Sequence, residues 1–490
     1  MFFTVVFSAT LAAGATTVAN TVLPQMSGDL SASLDQVSWV VTAAVVAGAI
    51  GTPTTPWLAA RFGAKQLLVF AISAFTFASV MIGTSETLGE VVFWRIAQAA
   101  TGGPILALSQ TFTLAIFSER ERGKALAIWS MALTGGWVFA PVLGAYLADQ
   151  QSWRVVFFAL APAGVVGAIL AGQLMPKTPK DTKLRFDWFG FVALSVSLAA
   201  LQIVLNRGQR LGWFDSPEII IWCGVGLVAT YIFIVHSISA KNPFFRWQVF
   251  KDKNLAVGFI LVFTFAFISL VPLVLIPSML ESLRGMDVAT IGMVFIPEGV
   301  IEIVAYILIA RLIGRVDSRF LISLGFLVFA AGAWMMTRYN LDITVWDVFV
   351  PLSLQGLGMT IIWLPVFHMI YSTLAEGYRT EAAALIGLGY SISSSSGIAL
   401  SVTILSRSSQ TVNQELVANV TYGNEVFKLA EYSDLPLDAI DSLAGIQSEV
   451  MQQSLMIGYV NVYWMLTLVC IAAIPIVLIF GSSGRSASDP

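Results

Sequence analysis

From Leu255 to Leu280 the chain reads LAVGFILVFTFAFISLVPLVLIPSML, with no acidic or basic side chain. A run so long and so apolar has few places to fold. The hydrocarbon core of a bilayer is about 30 Å thick and accepts roughly 20 apolar residues per helix. Backbone in lipid must satisfy its own hydrogen bonds, so such a run crosses as a helix. Similar runs recur through all 490 residues, at about 2–23, 37–59, 66–84, 90–116, 124–148, 154–175, 188–206, 218–238, 288–312, 319–337, 347–373, 380–406 and 456–480. Together they make fourteen spans and an all-α polytopic membrane protein. Only 11% of residues are charged, less than half the roughly 25% of soluble domains. The first span starts almost at Met1, without a basic leader. Its "AAGA" at 12–15 only loosely resembles a cleavage site, so it reads as an uncleaved span.

Several function classes drop out. The net charge of −3 comes with no basic patch interleaved with aromatics, which argues against nucleic acid. Cys223 and Cys470 both lie in apolar runs, which argues against a disulfide framework or a thiolate metal site. No Rossmann, P-loop or metal-ligand pattern occurs, so neither cofactor nor metal is expected. A membrane-embedded transferase would need an Asp-rich or His-containing cluster at the surface. The chain has only His236 and His368, and it is not expected to be an enzyme.

Orientation follows from Lys and Arg. With the N-terminus inside, the inner loops and C-terminal tail hold eighteen of the 26 basic residues, among them Arg61, Lys65, Lys180, Lys183, Lys241, Lys251 and Arg485. The outer side holds seven, and Arg95 lies within a span. Positive charge collects on the cytoplasmic side, so both termini are expected there. The one long outer connection, 407–455, is acidic. Its "VNQELVANV" and "LDAIDSLAGIQSEVMQQSL" have helical periodicity.

In "FIPEGVIEIVAY" (295–306), Glu298 and Glu302 stand one turn apart on one face of the tenth span. Near the bilayer centre a charge costs on the order of 3 kcal/mol even on a lenient scale, and two like charges repel. The physical way out is to keep at least one of them protonated. A carboxylate poised to take up and release a proton at mid-membrane is what proton coupling requires. The plainer reading is that the pair hydrogen-bonds neighbouring helices.

Internal repetition supplies an architecture. "WLAARFGAKQLL" (57–68) follows the second span and "IARLIGRVDSRFL" (309–321) the tenth. "QAATGGPI" (98–105) in the fourth answers "QGLGMTII" (355–362) in the twelfth. The spans fall into two six-helix halves, residues 1–180 and 251–490, with two inserted helices in 181–250. Paired halves around a midplane site describe one large transporter class.

The detailed motifs resemble the major facilitator superfamily, in its fourteen-helix drug/proton antiporter branch of the EmrB/QacA type. They are "TTVANTVLP" (16–24), "SWVVTAAVVAGAIGTP" (38–53), "FWRIAQAATGGPILALSQ" (93–110), and "GGWVFAPVLGAYLAD" (135–149) with "WRVVFF" (153–158). The resemblance implies a proton-coupled exporter of amphipathic, drug-like or organic-cation substrates, acting by alternating access. A proton-linked metabolite, fatty-acid or siderophore transporter is the alternative. It further implies a bacterial cytoplasmic (inner) membrane location. Where an outer membrane exists, a periplasmic adaptor and an outer-membrane channel would be partners, with 407–455 as the contact surface.

It also implies residue roles. Arg95 belongs to a helix-4 motif linked to proton coupling, although its place near the outer end would also let it snorkel. Arg61 and Gly63 hold adjacent helices in one conformation, and Gly136, Pro141 and Gly144 belong to the antiporter motif of the fifth helix. Gln98, Gln110 and Gln355 either line the cavity or bond neighbouring helices. The sequence departs from the family pattern at Ala15, where an Asp is usual, and at Ala60, Ala140 and Ala145. With that Asp absent, Glu298 and Glu302 are the carboxylates left to carry a coupling proton.

Overall fold

The computed structural model describes residues 1–181, 184–240, 243–286, 288–313, 315–419 and 440–480. Among these it is helix and connection, apart from one isolated bridge between Ile313 and Val316. In chain order we label α1 Phe2–Thr21; α2 Trp39–Gly51 with its continuation Thr55–Phe62; α3 Ala64–Thr84; α4 Leu88–Ile116; α5 Glu119–Gln150; α6 Trp153–Leu174; α7 Trp188–Arg207; and α8 Pro217–Ser239. There follow α9 Lys253–Ser269 with Val271–Arg284; α10 Val288–Val294 with Ile296–Leu312; α11 Ser318–Met336; α12 Val345–Thr373; α13 Arg379–Asn419; and α14 Ile440–Val477.

Thirteen of these are long and apolar enough to cross a membrane as they stand. The other, α2, is divided by a 3-10 turn at Thr52–Thr54. Pro53 and Pro56 remove two backbone donors there. The turn sits where α2 crosses α4, with Gly51 against the Ala100 backbone and Gly103 against Thr52.

Packing repeats with an offset of eight helices. The pairs α1·α5, α3·α6, α3·α4 and α2·α4 build the first half. Their counterparts α9·α13, α11·α14, α11·α12 and α10·α12 build the second. Even the caps repeat: a capping box of Thr87 and Glu90 opens α4, and one of Thr344 and Asp347 opens α12. The halves meet through α5·α10 and α2·α13, and through α4·α13 and α5·α12. Each junction pair is again the counterpart of the other, so the chain forms the two halves of the expected fold with a pseudo-two-fold relation. The inserted α7 packs on α2 and α13, touching both halves, whereas α8 is largely exposed.

Close crossings hold each half together. On α5, a Cβ at Gly136 would lie 2.6 Å from the Thr10 carbonyl oxygen of α1. A Cβ at Gly14 would lie 2.9 Å from that of Ala140. The glycine absent at Ala140 is thus answered by a glycine on the facing helix. Gly144 meets Val18 one turn further on, and Pro141 lies within α5 between them.

The helices α13 and α14 outrun the span. α13 continues to Asn419 and α14 begins at Ile440. At 1.5 Å per residue, each adds roughly 20 Å beyond the expected ends at 406 and 456. The acidic residues Glu425, Glu431, Asp434 and Asp438 lie outside the described residues, as do Lys183, Lys241, Gly314 and Arg485.

Candidate functional site

Pro297 interrupts α10, and the helix restarts at Ile296 with Glu298 in its first turn. Acids suit that position, because the first N–H groups of a helix lack intrahelical acceptors. Glu302 follows one turn later on the same face. Both side chains pack against Gly356 of α12: a Cβ there would lie 2.6 Å from Glu298 Cγ and 3.1 Å from Glu302 Cγ. Only a glycine leaves room for the two acids. Glu302 is buried and Glu298 half-buried. Among the described residues neither has an ion-pair partner.

The surroundings of Glu302 come from both halves. Thr134 of α5 stands within reach of its carboxylate and lies 3.4 Å from the Tyr306 hydroxyl. Tyr306 is one turn beyond Glu302, so Glu298, Glu302 and Tyr306 form a single polar stripe facing α5 and α12. Tyr390 of α13, whose hydroxyl lies 3.4 Å from Ser269 of α9, stacks on Trp137 of α5 with centroids 6.0 Å apart. Trp363 and Phe265 complete an aromatic layer around Tyr390.

Past this layer, toward the end that carries Arg61 and Lys180, the halves are joined. Trp363 Nε1 donates to Ser130 Oγ at 3.1 Å, and the Tyr371 hydroxyl donates to Gln110 Oε1 at 3.4 Å. A Cβ at Gly123 would lie 3.4 Å from Ile313. The structure is therefore closed at its basic end, with the acid pair just above the closure.

Arg95 does not snorkel. It is 3% exposed, and its Nη1 donates to the Ala15 carbonyl at 3.3 Å and to Gln98 Oε1 at 2.5 Å. Gln98 Nε2 in turn donates to Ser79 Oγ at 2.7 Å, and the guanidinium lies 5.9 Å from the Phe157 ring centre. Its Nε is buried without a partner among the described residues. This cluster belongs to the first half and shares none of these partners with the acid pair. Gln355 is fully buried between α12 and α11, donating to Met336 Sδ at 3.2 Å. Of the three glutamines, Gln110 alone reaches across the junction.

At the basic end Gly63 adopts φ +93, a region that favours glycine. It lets the chain turn from α2 into α3. Ala64 N–H donates to Thr178 Oγ1 at 2.7 Å and Asp181 N–H to the Ala60 carbonyl at 2.8 Å, tying this turn to the segment after α6. Arg61 is half-buried, and its Nη1 has no partner among the described residues.

Sequence reasoning missed Gly356, Thr134, Tyr306 and Tyr390. Tyr306 alone carried a signal, since it continues the i, i+4 stripe of the two acids.

A model of the Major Facilitator Superfamily matches residues 5–398. The chain is 29% identical to the multidrug export protein EmrB of Escherichia coli K12 over 454 residues, covering 92% of this chain and 88% of that protein. It is 29% identical to the fatty acid resistance protein FarB of Neisseria gonorrhoeae over 465 residues, covering 94% and 92%. Among solved structures it resembles the proton:xylose symporter XylE, with a TM-score of 0.65 and 14% identity over 98% of this chain and 95% of that one.

Proposed function

The chain belongs to the Major Facilitator Superfamily, and from that premise we propose that it is a proton-coupled exporter of small amphipathic, drug-like or organic-cation molecules. It works by alternating access of its two halves and is not a catalyst. The observation that carries this reading is the carboxylate pair Glu298 and Glu302, held against Gly356 near the junction of the halves with no ion-pair partner among the described residues.

The coupling follows from where a charge can reside. In the closed junction each bare charge would cost on the order of 3 kcal/mol, so the pair enters that packing neutralised. Opening the junction to water removes the penalty and lets a proton leave. A cationic substrate competes with the proton for the same carboxylates. Proton and substrate therefore alternate at one place, which is the requirement for exchange. Thr134 and Tyr306 tie the state of Glu302 to α5, the helix that must move against α10. Arg95 holds the α1–α4 contact of the first half and helps set the position of α1.

With the basic end taken as cytoplasmic and both termini inside, the present conformation is closed to the cytoplasm. The setting is the bacterial cytoplasmic (inner) membrane. The projecting ends of α13 and α14 would then stand outside, where a periplasmic adaptor leading to an outer-membrane channel would dock. The relative named as a multidrug export protein favours drug-like cargo. The relative named for fatty acid resistance favours a second reading, export of fatty acids. In proteoliposomes with an imposed proton gradient, an organic cation should elicit proton flux. Proton flux elicited by fatty acids alone would favour the second reading, and none with any amphiphile would refute proton-coupled export.

A further inference from the structure

The halves meet at two counterpart junctions, and the inserted helices attend to only one of them. α7 lies against both α2 and α13, whose own contact is close: a Cβ on Gly387 of α13 would lie 3.2 Å from Thr52 Cγ2 in the turn of α2. Among the described residues neither α7 nor α8 packs on the other junction, α5·α10. A helix that touches both halves faces a mechanical problem. If the halves rock against each other, α7 must keep one contact and slide along the other.

The two contacts differ in kind. Toward the first half they are directional and occur at both ends of α7. At the end away from Arg61, the Arg207 guanidinium lies 4.8 Å from the Trp39 ring centre, and Arg210 Nη1 donates to Ser38 Oγ at 2.9 Å. At the basic end Phe186, just before α7, packs on Trp57 with ring centres 4.6 Å apart. Ser38 and Trp39 open α2, and Trp57 lies in its continuation. Toward the second half α7 offers apolar surface: Ala193, Leu194 and Leu198 share a buried cluster with Leu385, Ile386 and Leu388 of α13. Hydrogen bonds lose their geometry when helices shift, whereas apolar burial is non-directional and packed helices slide in shear motions. α8 goes with α7. Arg207 Nη1 donates to Glu218 Oε1 at 2.8 Å, His236 Nε2 lies 2.8 Å from Asp187 Oδ1, and Phe244 N–H donates to Asp187 Oδ2 at 3.0 Å. Two residues later the mooring changes sides, where Arg246 N–H and Nε donate to Glu381 of α13 at 2.8 and 3.0 Å. Between these anchors the backbone at Phe244 and Phe245 bends without forming helix.

We infer that α7 and α8 travel with the first half and slide along α13, keeping the α2·α13 junction covered as it opens and closes, with the chain at Phe245 as the hinge to the second half. The inference rests on the alternating access proposed above, and on neither the cargo nor the coupling residues. It gives the inserted pair a role that the other junction does without: a cover moored on one moving body and greased against the other.

The test uses full-length protein in liposomes with Cys223→Ser; the remaining Cys470 is fully buried. Spin labels are placed in pairs through Phe93→Cys on α4, Ile221→Cys on α8 and Trp346→Cys on α12, three exposed sites near the end away from Arg61. Distances are read by double electron–electron resonance with and without Gly123→Trp, which wedges open the contact with Ile313 at the basic end. Ser130→Trp, at the hydrogen bond to Trp363, is a second wedge and serves alone if Gly123→Trp does not fold. The pair on α4 and α12 reads the rocking of the halves and should shift. The pair on α8 and α12 should shift with it, while the pair on α8 and α4 keeps its distance. Arg207→Ala with Arg210→Ala, which removes the ties at one end, should broaden the α8–α4 distance distribution at least twofold. An α8–α4 distance that shifts whenever the halves rock would overturn the inference alone, and so would an α8–α4 distribution left unchanged by the arginine variants. An α4–α12 distance moved by neither wedge would refute the rocking itself, and with it the alternating access on which the inference rests.

Discussion

Gly356→Ala is the smallest change that disturbs the proposed site from outside it. The added Cβ would lie 2.6 Å from Glu298 Cγ, where ordinary contact begins at 3.4 Å. Either Glu298 leaves its rotamer or α10 and α12 part by roughly 1 Å. Overpacking of this kind costs about 1–3 kcal/mol, which is about 5- to 150-fold in an equilibrium that needs the two helices in contact. Gly332→Ala on α11 is the control. Its Cβ would lie 2.5 Å from the Pro351 carbonyl oxygen and 3.0 Å from Gln355 Cγ, a similar clash on α12 away from the acids. Both variants should melt earlier. Substrate-driven proton flux in proteoliposomes should fall at least fivefold in Gly356→Ala, and in Gly332→Ala only in proportion to lost folded protein. Normal flux in folded Gly356→Ala would show that the seating of the acids on Gly356 has no part in transport.

Other consequences lie outside the spans. Arg154, with Trp153 beside it, holds the Asp29 carboxyl below its usual 3.8. A depressed value in the folded state stabilises above the usual carboxylate range and is lost as pH falls through the folded value. Asp29→Asn should therefore cost stability at neutral pH, by less than about 1 kcal/mol for so exposed a pair, and flatten the melting profile below about pH 4. Cysteine near Lys180 or Lys251 should be labelled only from the cytoplasm and cysteine near Asp438 only from outside; labelling of all three from one side would refute the fourteen-span topology. Replacing 415–450 with a short Gly/Ser linker should leave insertion and substrate binding intact but lower whole-cell export, and undiminished export would deny that segment a docking role.

The spans were legible because lipid leaves the backbone no alternative to a helix, so length and hydropathy suffice. The break in α2 was legible too, in Pro53 and Pro56, yet an apolar count passes over it because proline costs little hydropathy. The two glutamates stood out by rarity. Their seat did not. Gly356, Thr134 and Tyr390 lie far from Glu302 in sequence and come near it only in the folded bundle, Gly356 and Tyr390 from other helices of its own half and Thr134 from the opposite half, and no periodicity within one helix encodes that meeting. The same holds for Arg95, whose inward turn depends on the Ala15 carbonyl of another helix rather than on its distance from the membrane surface. The long α13 and α14 were read as spans ending near 406 and starting near 456. The helix that continues past these ends was itself legible, in the helical periodicity of 412–420 and 437–455, and at the ends the two helices pack where Gly458 meets Leu405.

The central claim is that Glu298 and Glu302 together carry the coupling proton, and Glu→Gln substitution tests it most directly. Gln keeps the size and much of the hydrogen bonding while fixing the neutral state. Proton-coupled transport by Glu298→Gln and Glu302→Gln should collapse in proteoliposomes, with melting behaviour near that of the unmodified protein. Substrate binding should survive and lose its pH dependence. The double variant should be little worse than the more damaging single one, since a coupled pair acts as a unit. Proton-coupled transport at the unmodified rate in both single variants would contradict the account and leave the pair a purely structural contact between α10 and α12.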